Sequence, residues 1–182
     1  MLEAASRGFW RATLALSLGS FLVFANLYIS HPLMPLFRHE FGLTALQASW
    51  SLSVSMLFLG LSLLIYGPLS DALGRPKIMI FSLGAAIVTT ALIPQTDSYA
   101  ELLALRALQG FFLGGLPAVA IAYLADEFSP KALLAAVGFY ISANSLGGVS
   151  GRLIGGFISD LHSWQFAFEL MSGFSAAGLL VF

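Results

Sequence analysis

Long runs without charge, broken by short charged turns, constrain this chain more than any other feature. No Asp, Glu, Lys or Arg occurs between Phe41 and Ser70, and none between Ile78 and Thr96. Each run is long enough to cross a bilayer as a helix, which takes roughly 20 apolar residues. Such runs recur along the whole length, so the pattern specifies an all-α, polytopic membrane protein. Charged residues make up 9% of the chain, against about 25% in soluble domains. Barrel strands alternate apolar and polar residues, and these continuously apolar runs do not. A net charge of −1 gives nucleic acid no footing, and the lack of cysteine excludes disulfides and thiolate chemistry. The first apolar run is too long for a signal-peptide core and lacks a small-residue cleavage site, so it is expected to stay as a span.

The runs predict six transmembrane helices, at about residues 13–36, 46–69, 78–93, 102–123, 133–158 and 164–182. Together they form one N-terminal six-helix domain over residues 1–182. Short loops make neighbouring helices antiparallel. One side then carries Arg7, Arg11, Arg75, Lys77 and Lys131, and the other only Arg38, which by the bias of basic residues places the N-terminus in the cytoplasm. The last span ends at Leu179-Leu180-Val181-Phe182 without a basic residue at the cytoplasmic surface. We therefore expect a truncated chain, the first half of something larger. The first and fourth spans each carry proline (Pro32 and Pro35; Pro117) among polar residues, a weak echo of the kind inverted repeats produce.

Three motifs stand in register. The turn Gly67-x-Leu69-x-Asp71-x-x-Gly74-Arg75-x-Lys77 joins the second and third spans. Gly67 would let a neighbouring backbone approach, and Gly74 suits a positive-φ helix end. Pro76 suits a first helical turn. Asp71 would accept from helix-terminal N–H groups, and Arg75 would pair with Asp126 or Glu127. Arg106-Ala107-Leu108-Gln109-Gly110 lies in the fourth span, and Gly147-x-x-x-Gly151-Arg152-x-x-Gly155-Gly156 in the fifth. In order and content these resemble the loop signature, the Arg-x-x-Gln-Gly motif and the glycine-rich antiporter motif of the major facilitator superfamily, in its drug:proton antiporter branch. The span-five stretch is also similar to bacterial inner-membrane transport proteins of that family.

The resemblance implies one half of a twelve-helix fold whose two six-helix halves rock about a central site. It implies proton-coupled efflux of a small molecule across the bacterial inner membrane, with no cofactor or metal beyond the proton gradient. The partners it implies are the lipid bilayer, the small-molecule substrate and a C-terminal six-helix half. Gly67, Asp71, Gly74 and Arg75, with Asp126, would form the gating loop and charge cluster. Two departures matter: Arg152 stands where the antiporter motif has proline, and Ala72 where a basic residue is common.

Depth separates the polar residues of the spans. At about 1.5 Å of rise per residue, Asn26 lies about 22 Å from Arg11, and Asn144 about 20 Å from Lys131. Both amides thus sit near the midplane, where they either face one cavity or bond between helices. Arg106, about one turn inside the outer surface, is expected to snorkel to water. Arg152 lies about 12 Å from Asp160 and needs a cavity or a partner, with Glu169 the one candidate acid. Asn26, Arg106, Gln109, Asn144 and Arg152 are thus the expected cavity residues, and their charge favours anionic or neutral polar solutes over lipophilic cations. Gly147, Gly151, Gly155 and Gly156 form a close-packing face. Two other readings compete. Gly148-Val149-Ser150-Gly151 matches the Gly-x-Ser-Gly of rhomboid intramembrane proteases, although no histidine follows His162 to act as base. The chain is otherwise a truncated fragment that does not transport. No enzymatic activity is expected.

Overall fold

The structure, a computed structural model, describes residues 3–4, 6–180 and 182; Val181 of the last expected span lies outside the described residues. The described residues form eight α-helices: α1 (Arg7–Tyr28), α2 (Met34–Glu40), α3 (Ala45–Leu73), α4 (Arg75–Leu92), α5 (Tyr99–Leu113), α6 (Gly115–Glu127), α7 (Pro130–Leu161) and α8 (Trp164–Leu179). Five helical stretches are long and apolar enough to cross a membrane: Arg7–Tyr28, Ala45–Leu73, Arg75–Gln95, Tyr99–Glu127 and Pro130–Leu161. The sixth, α8, has 16 residues.

Local chemistry sets the ends. The Ser6 hydroxyl accepts from Phe9 N–H at the start of α1. Thr44 with Gln47 and Ser98 with Glu101 form reciprocal capping boxes. Gly74, at φ +95°, separates α3 from α4, and proline occupies the first turn of α4. That backbone turn is the positive-φ position the sequence assigns to it.

Two expected spans are interrupted, each at a proline. The first, expected over 13–36, starts earlier and ends at Tyr28; Pro32 cannot donate to Tyr28 C=O, and the chain resumes as α2 with Pro35 in its first turn. The fourth bends at Gly114, between α5 and α6. Pro117 removes the N–H that would reach Leu113 C=O, which is a standard cause of a kink.

Packing follows small residues. In lipid the helices gain little from burying apolar surface, so close backbone approach carries the association. Gly147, Gly151 and Gly155 of α7 lie against the carbonyls of Phe21 and Ala25 of α1 and of Ile29, its C-terminal cap. Both series ascend in steps of four, so α1 and α7 run parallel. A Cβ on Gly155 would stand 2.6 Å from Ile29 O, and one on Gly147 or Gly151 would overlap its carbonyl. Gly156 is looser, with Pro32 Cβ at 3.5 Å. Gly110 of α5 rests on the Ser55 backbone of α3, and Gly115 of α6 on Ser82 of α4. One buried cluster gathers Leu16, Val23, Leu116, Val119, Ala120 and Leu124; a second gathers Ile29, Leu33, Phe37, Leu102, Trp164 and Phe168. Large apolar side chains also cover the outside, including Leu57, Leu64, Leu134, Leu153 and Phe157, as a lipid-facing surface requires.

Gly151→Leu is expected to force α1 from α7 and lower the melting temperature in detergent sharply, since overpacking costs about 1–3 kcal/mol or more. Gly138→Ala, with nothing within 4 Å of its added carbon, should leave it unchanged. Fluorescence-detected size-exclusion chromatography after heating checks both.

Candidate functional site

Three groupings of polar side chains interrupt the apolar bundle. The deepest centres on Arg106, which has no exposed surface. Its five N–H donors meet five oxygens. Nε donates to Ser51 C=O at 3.0 Å; Nη1 donates to Asn26 C=O at 3.1 Å and to Gln109 Oε1; Nη2 donates to Leu27 C=O at 2.8 Å and to Ser30 Oγ at 3.0 Å. The Phe168 ring lies 5.9 Å away. Every acceptor is neutral. Compensation comes from position: Asn26 and Leu27 belong to the last turn of α1, whose carbonyls lack intrahelical donors and carry the negative end of the helix dipole. The end of the helix at Tyr28 frees them, with the His31 N–H turned to Tyr28 C=O instead of Leu27. The expectation that Arg106 snorkels to water is therefore corrected, because the guanidinium reaches inward to the end of α1.

Asn26 and Gln109 extend the same network. Asn26 Nδ2 donates to Leu22 C=O and to Ser175 Oγ, both at 2.8 Å. Its Oδ1 accepts from Thr90 Oγ1 at 3.1 Å, and Gln109 Nε2 donates to Thr90 Oγ1 at 2.6 Å. Asn26 is 3% exposed and Gln109 is fully buried. Side chains of α1, α4, α5 and α8 are tied together at one depth, with α3 joined through Ser51 and through Ser55 Oγ, which donates to Arg106 C=O at 2.9 Å. Asn26 and Asn144 do not share a cavity. Equal depth did not mean a shared face.

Asn144 and Arg152 meet elsewhere, in an open groove between α1 and α7 lined by Phe24, Tyr28, Asn144, Ser145, Gly148, Val149 and Arg152. The Arg152 guanidinium lies over the Tyr28 ring, 4.2 Å from its centre. Asn144 Oδ1 is shielded and has no hydrogen-bond partner among the described residues. Glu169 does not pair with Arg152: both ion pairs among the described residues are made by Arg75.

The third grouping is the charged turn. Arg75 lies 2.9 Å from Asp126 and 3.7 Å from Asp71. It clamps the α3–α4 turn to the end of α6. Asp71 is 71% exposed and caps no helix end; it faces outward beside Arg75. Gly67 also differs from expectation: nothing lies within 4 Å of a Cβ placed there, so no backbone in this bundle approaches it.

Sequence reasoning passed over Ser30, Ser51, Thr90 and Ser175, which complete the buried network, and Tyr28, which stacks on Arg152. Ser51, Ser55 and Ser62 repeat at helical spacing of four and seven, and all three are fully buried. That stripe was the available signal. Tyr28 carried none, because its role depends on which face of α1 meets α7.

A family model described as Major Facilitator Superfamily matches residues 16–182. The chain is 42% identical over 174 residues to the inner membrane transport protein YnfM of Escherichia coli, which covers 96% of this chain and 42% of that protein. It is 30% identical over 155 residues to the chloramphenicol resistance protein CraA of Acinetobacter baumannii, covering 85% of this chain and 38% of that one. Among solved structures, a bacterial homologue of the human lysosomal transporter Spinster, inward-facing and unoccupied, superimposes with a TM-score of 0.79 at 21% identity, over 97% of this chain and 42% of the other. The chain thus spans about two fifths of the length of its relatives. It belongs to the Major Facilitator Superfamily and forms half of that fold. The protease reading of Ser150 gives way to this assignment.

Arg106→Leu keeps bulk but strands the carbonyls of Asn26 and Leu27 and the side-chain oxygen of Gln109. A loss of about 1–3 kcal/mol of stability is expected for each acceptor left dry, read as a collapse of the thermal unfolding midpoint in detergent. Arg106→Lys, which cannot fork, should recover only part of it.

Proposed function

We propose that this chain is the N-terminal six-helix half of a secondary active transporter. It moves a small molecule across the bacterial inner membrane by alternating access, as proton-coupled efflux. One observation carries the reading. Arg152 and Asn144 lie exposed or half-buried along the middle of α7, where a guanidinium against lipid tails costs at least a few kcal/mol. A water-accessible path beside α1 and α7 removes that cost, and a second six-helix half would close it. Tyr28 joins Asn144 and Arg152 as lining; Asn26, Arg106 and Gln109 hold the frame behind it.

The turn supports the same reading. Arg11, Pro76 and Tyr123 line one groove, so the N-terminus, the α3–α4 turn and the end of α6 gather at one end. That end also carries Arg7, Arg75, Lys77 and Lys131, and is assigned to the cytoplasm by its basic residues. There the Arg75–Asp126 pair fixes the turn, while Asp71 and Gly67 stay open to the partner half. The names of relatives, inner membrane transport and chloramphenicol resistance, fit efflux of small polar molecules.

The decisive experiment uses inverted vesicles holding the protein that carries this chain. A respiration-driven pH gradient is followed by acridine-dye fluorescence while neutral and anionic solutes are added, chloramphenicol among them. A transported solute dissipates the gradient. If none does, yet labelled solute still moves, proton coupling is wrong; if nothing moves, the transporter reading is wrong. Arg75→Asp should abolish this flux and lower the melting temperature only modestly, since the pair's acids, Asp71 and Asp126, are largely exposed although Arg75 is 21% exposed. The swap Arg75→Asp with Asp126→Arg should restore part of the flux.

A further inference from the structure

We propose that the groove between α1 and α7 is a subsite for a small carboxylate- or phosphate-bearing solute that also carries a hydrogen-bond donor. Arg152 takes the anion and Asn144 takes the donor. The assignment rests on the transporter reading above and adds the chemistry of what is carried.

The argument begins with Arg152. It makes neither an ion pair nor a hydrogen bond with any described residue; its one recorded partner is the face of Tyr28. Stacking satisfies the flat side of a guanidinium and leaves its N–H edge available. That edge matches the two oxygens of a carboxylate or phosphate. The acids nearest in sequence do not fill it. Asp160 lies two turns away on the same helix, about 12 Å along the axis, and Glu169 is exposed on α8.

The rest of the groove continues the pattern. Asn144, Gly148 and Arg152 follow at intervals of four, on one face of α7. Gly148 presents no side chain there, and the Tyr28 ring lies directly on it: a Cβ would stand 3.3 Å from Tyr28 Cδ2. The two polar ends thus lie about 12 Å apart along the helix, with the Tyr28 ring packed between them. Asn144 Oδ1 has no donor among the described residues, and exchanging the amide's oxygen and nitrogen by a half-turn would present the oxygen to the groove. A cation would meet the Arg152 charge with nothing to offset it. A phosphate of a lipid headgroup offers the same anionic chemistry, but the groove lies deep along α7, so the solute is the occupant.

The chain has no cysteine, which makes a thiol placed in the groove a clean reporter. Ser145→Cys is exposed and lines it. In the protein reconstituted into phosphatidylcholine nanodiscs, the thiol is reacted with two methanethiosulfonates, the sulfonatoethyl anion and the trimethylammonioethyl cation. Rates are divided by those with a free small thiol. The anion is expected to be favoured roughly fourfold, the effect of one positive charge on opposite unit charges about 10 Å away, the rise between Ser145 and Arg152, in a water-like medium. Arg152→Gln should erase the preference, and Arg152→Lys should retain most of it. Reaction with both reagents at an unchanged ratio in Arg152→Gln overturns the anion subsite and leaves the water-accessible path standing. No reaction with either overturns that path as well. Loss of the preference when phosphatidylglycerol is added assigns the anion to a headgroup and overturns the solute. Recovery of the Arg152→Gln protein as a monodisperse peak shows that a lost preference is not misfolding.

Discussion

A positive charge met only by neutral acceptors among the described residues governs the architecture. Arg106 is sealed from both water and lipid, a placement that ordinarily costs several kcal/mol. It is tolerable because α1 stops at Tyr28 and offers the carbonyls of its last turn. An unbroken helix would consume those carbonyls internally, leaving the guanidinium with too few acceptors. The helix break and Arg106 are therefore two halves of one device. The break frees the acceptors and the arginine occupies them, and the result fastens α5 to the end of α1. Ser51 and Ser55 bring α3 to the same point. Lysine could not replace the fork, since its three donors sit on one atom.

Around that point the bundle is assembled from missing side chains. Gly147, Gly151 and Gly155 let α7 lie on the backbone of α1, and Gly110 lets α5 lie on α3. The two seams differ in consequence. The α3–α5 seam sits beside the Arg106 network and is cross-linked by it. The α1–α7 seam carries no cross-link among the glycines, and its polar residues turn outward into the groove. One seam is bolted by hydrogen bonds; the other is held by backbone fit.

How much of this was legible in the sequence follows from what each residue type can signal. Charge-free runs announced membrane helices, because lipid admits few alternatives to an apolar helix. Gly74 and the Arg75–Asp126 pair were legible because turns and their charges are local or lie at one bundle end. Asn26 and Asn144 were placed at one depth, but depth is only one of two coordinates; the rotation of each helix about its axis, set by packing, sends them to different places. Arg106 failed for a related reason. Its distance from the surface suggested an outward reach, and nothing in its own neighbourhood showed that the end of another helix was richer in acceptors. Gly67 shows the opposite limit, since no neighbour in this bundle approaches it.

The two intramembrane arginines, alike in residue type, divide the labour by what is left of their donors. Arg106 has spent all five, each on an oxygen held by backbone or by a buried side chain. Any motion that separated α1 from α5 would break several such bonds in a medium that returns none of them. α1 and α5 must therefore move as one body. Arg152 has spent only its flat face, on Tyr28, at the end of the same helix that Arg106 secures. Fixing α1 thus fixes the ring, and the ring fixes the plane of the second guanidinium. The rigid arginine, through the end of one helix, orients the free one.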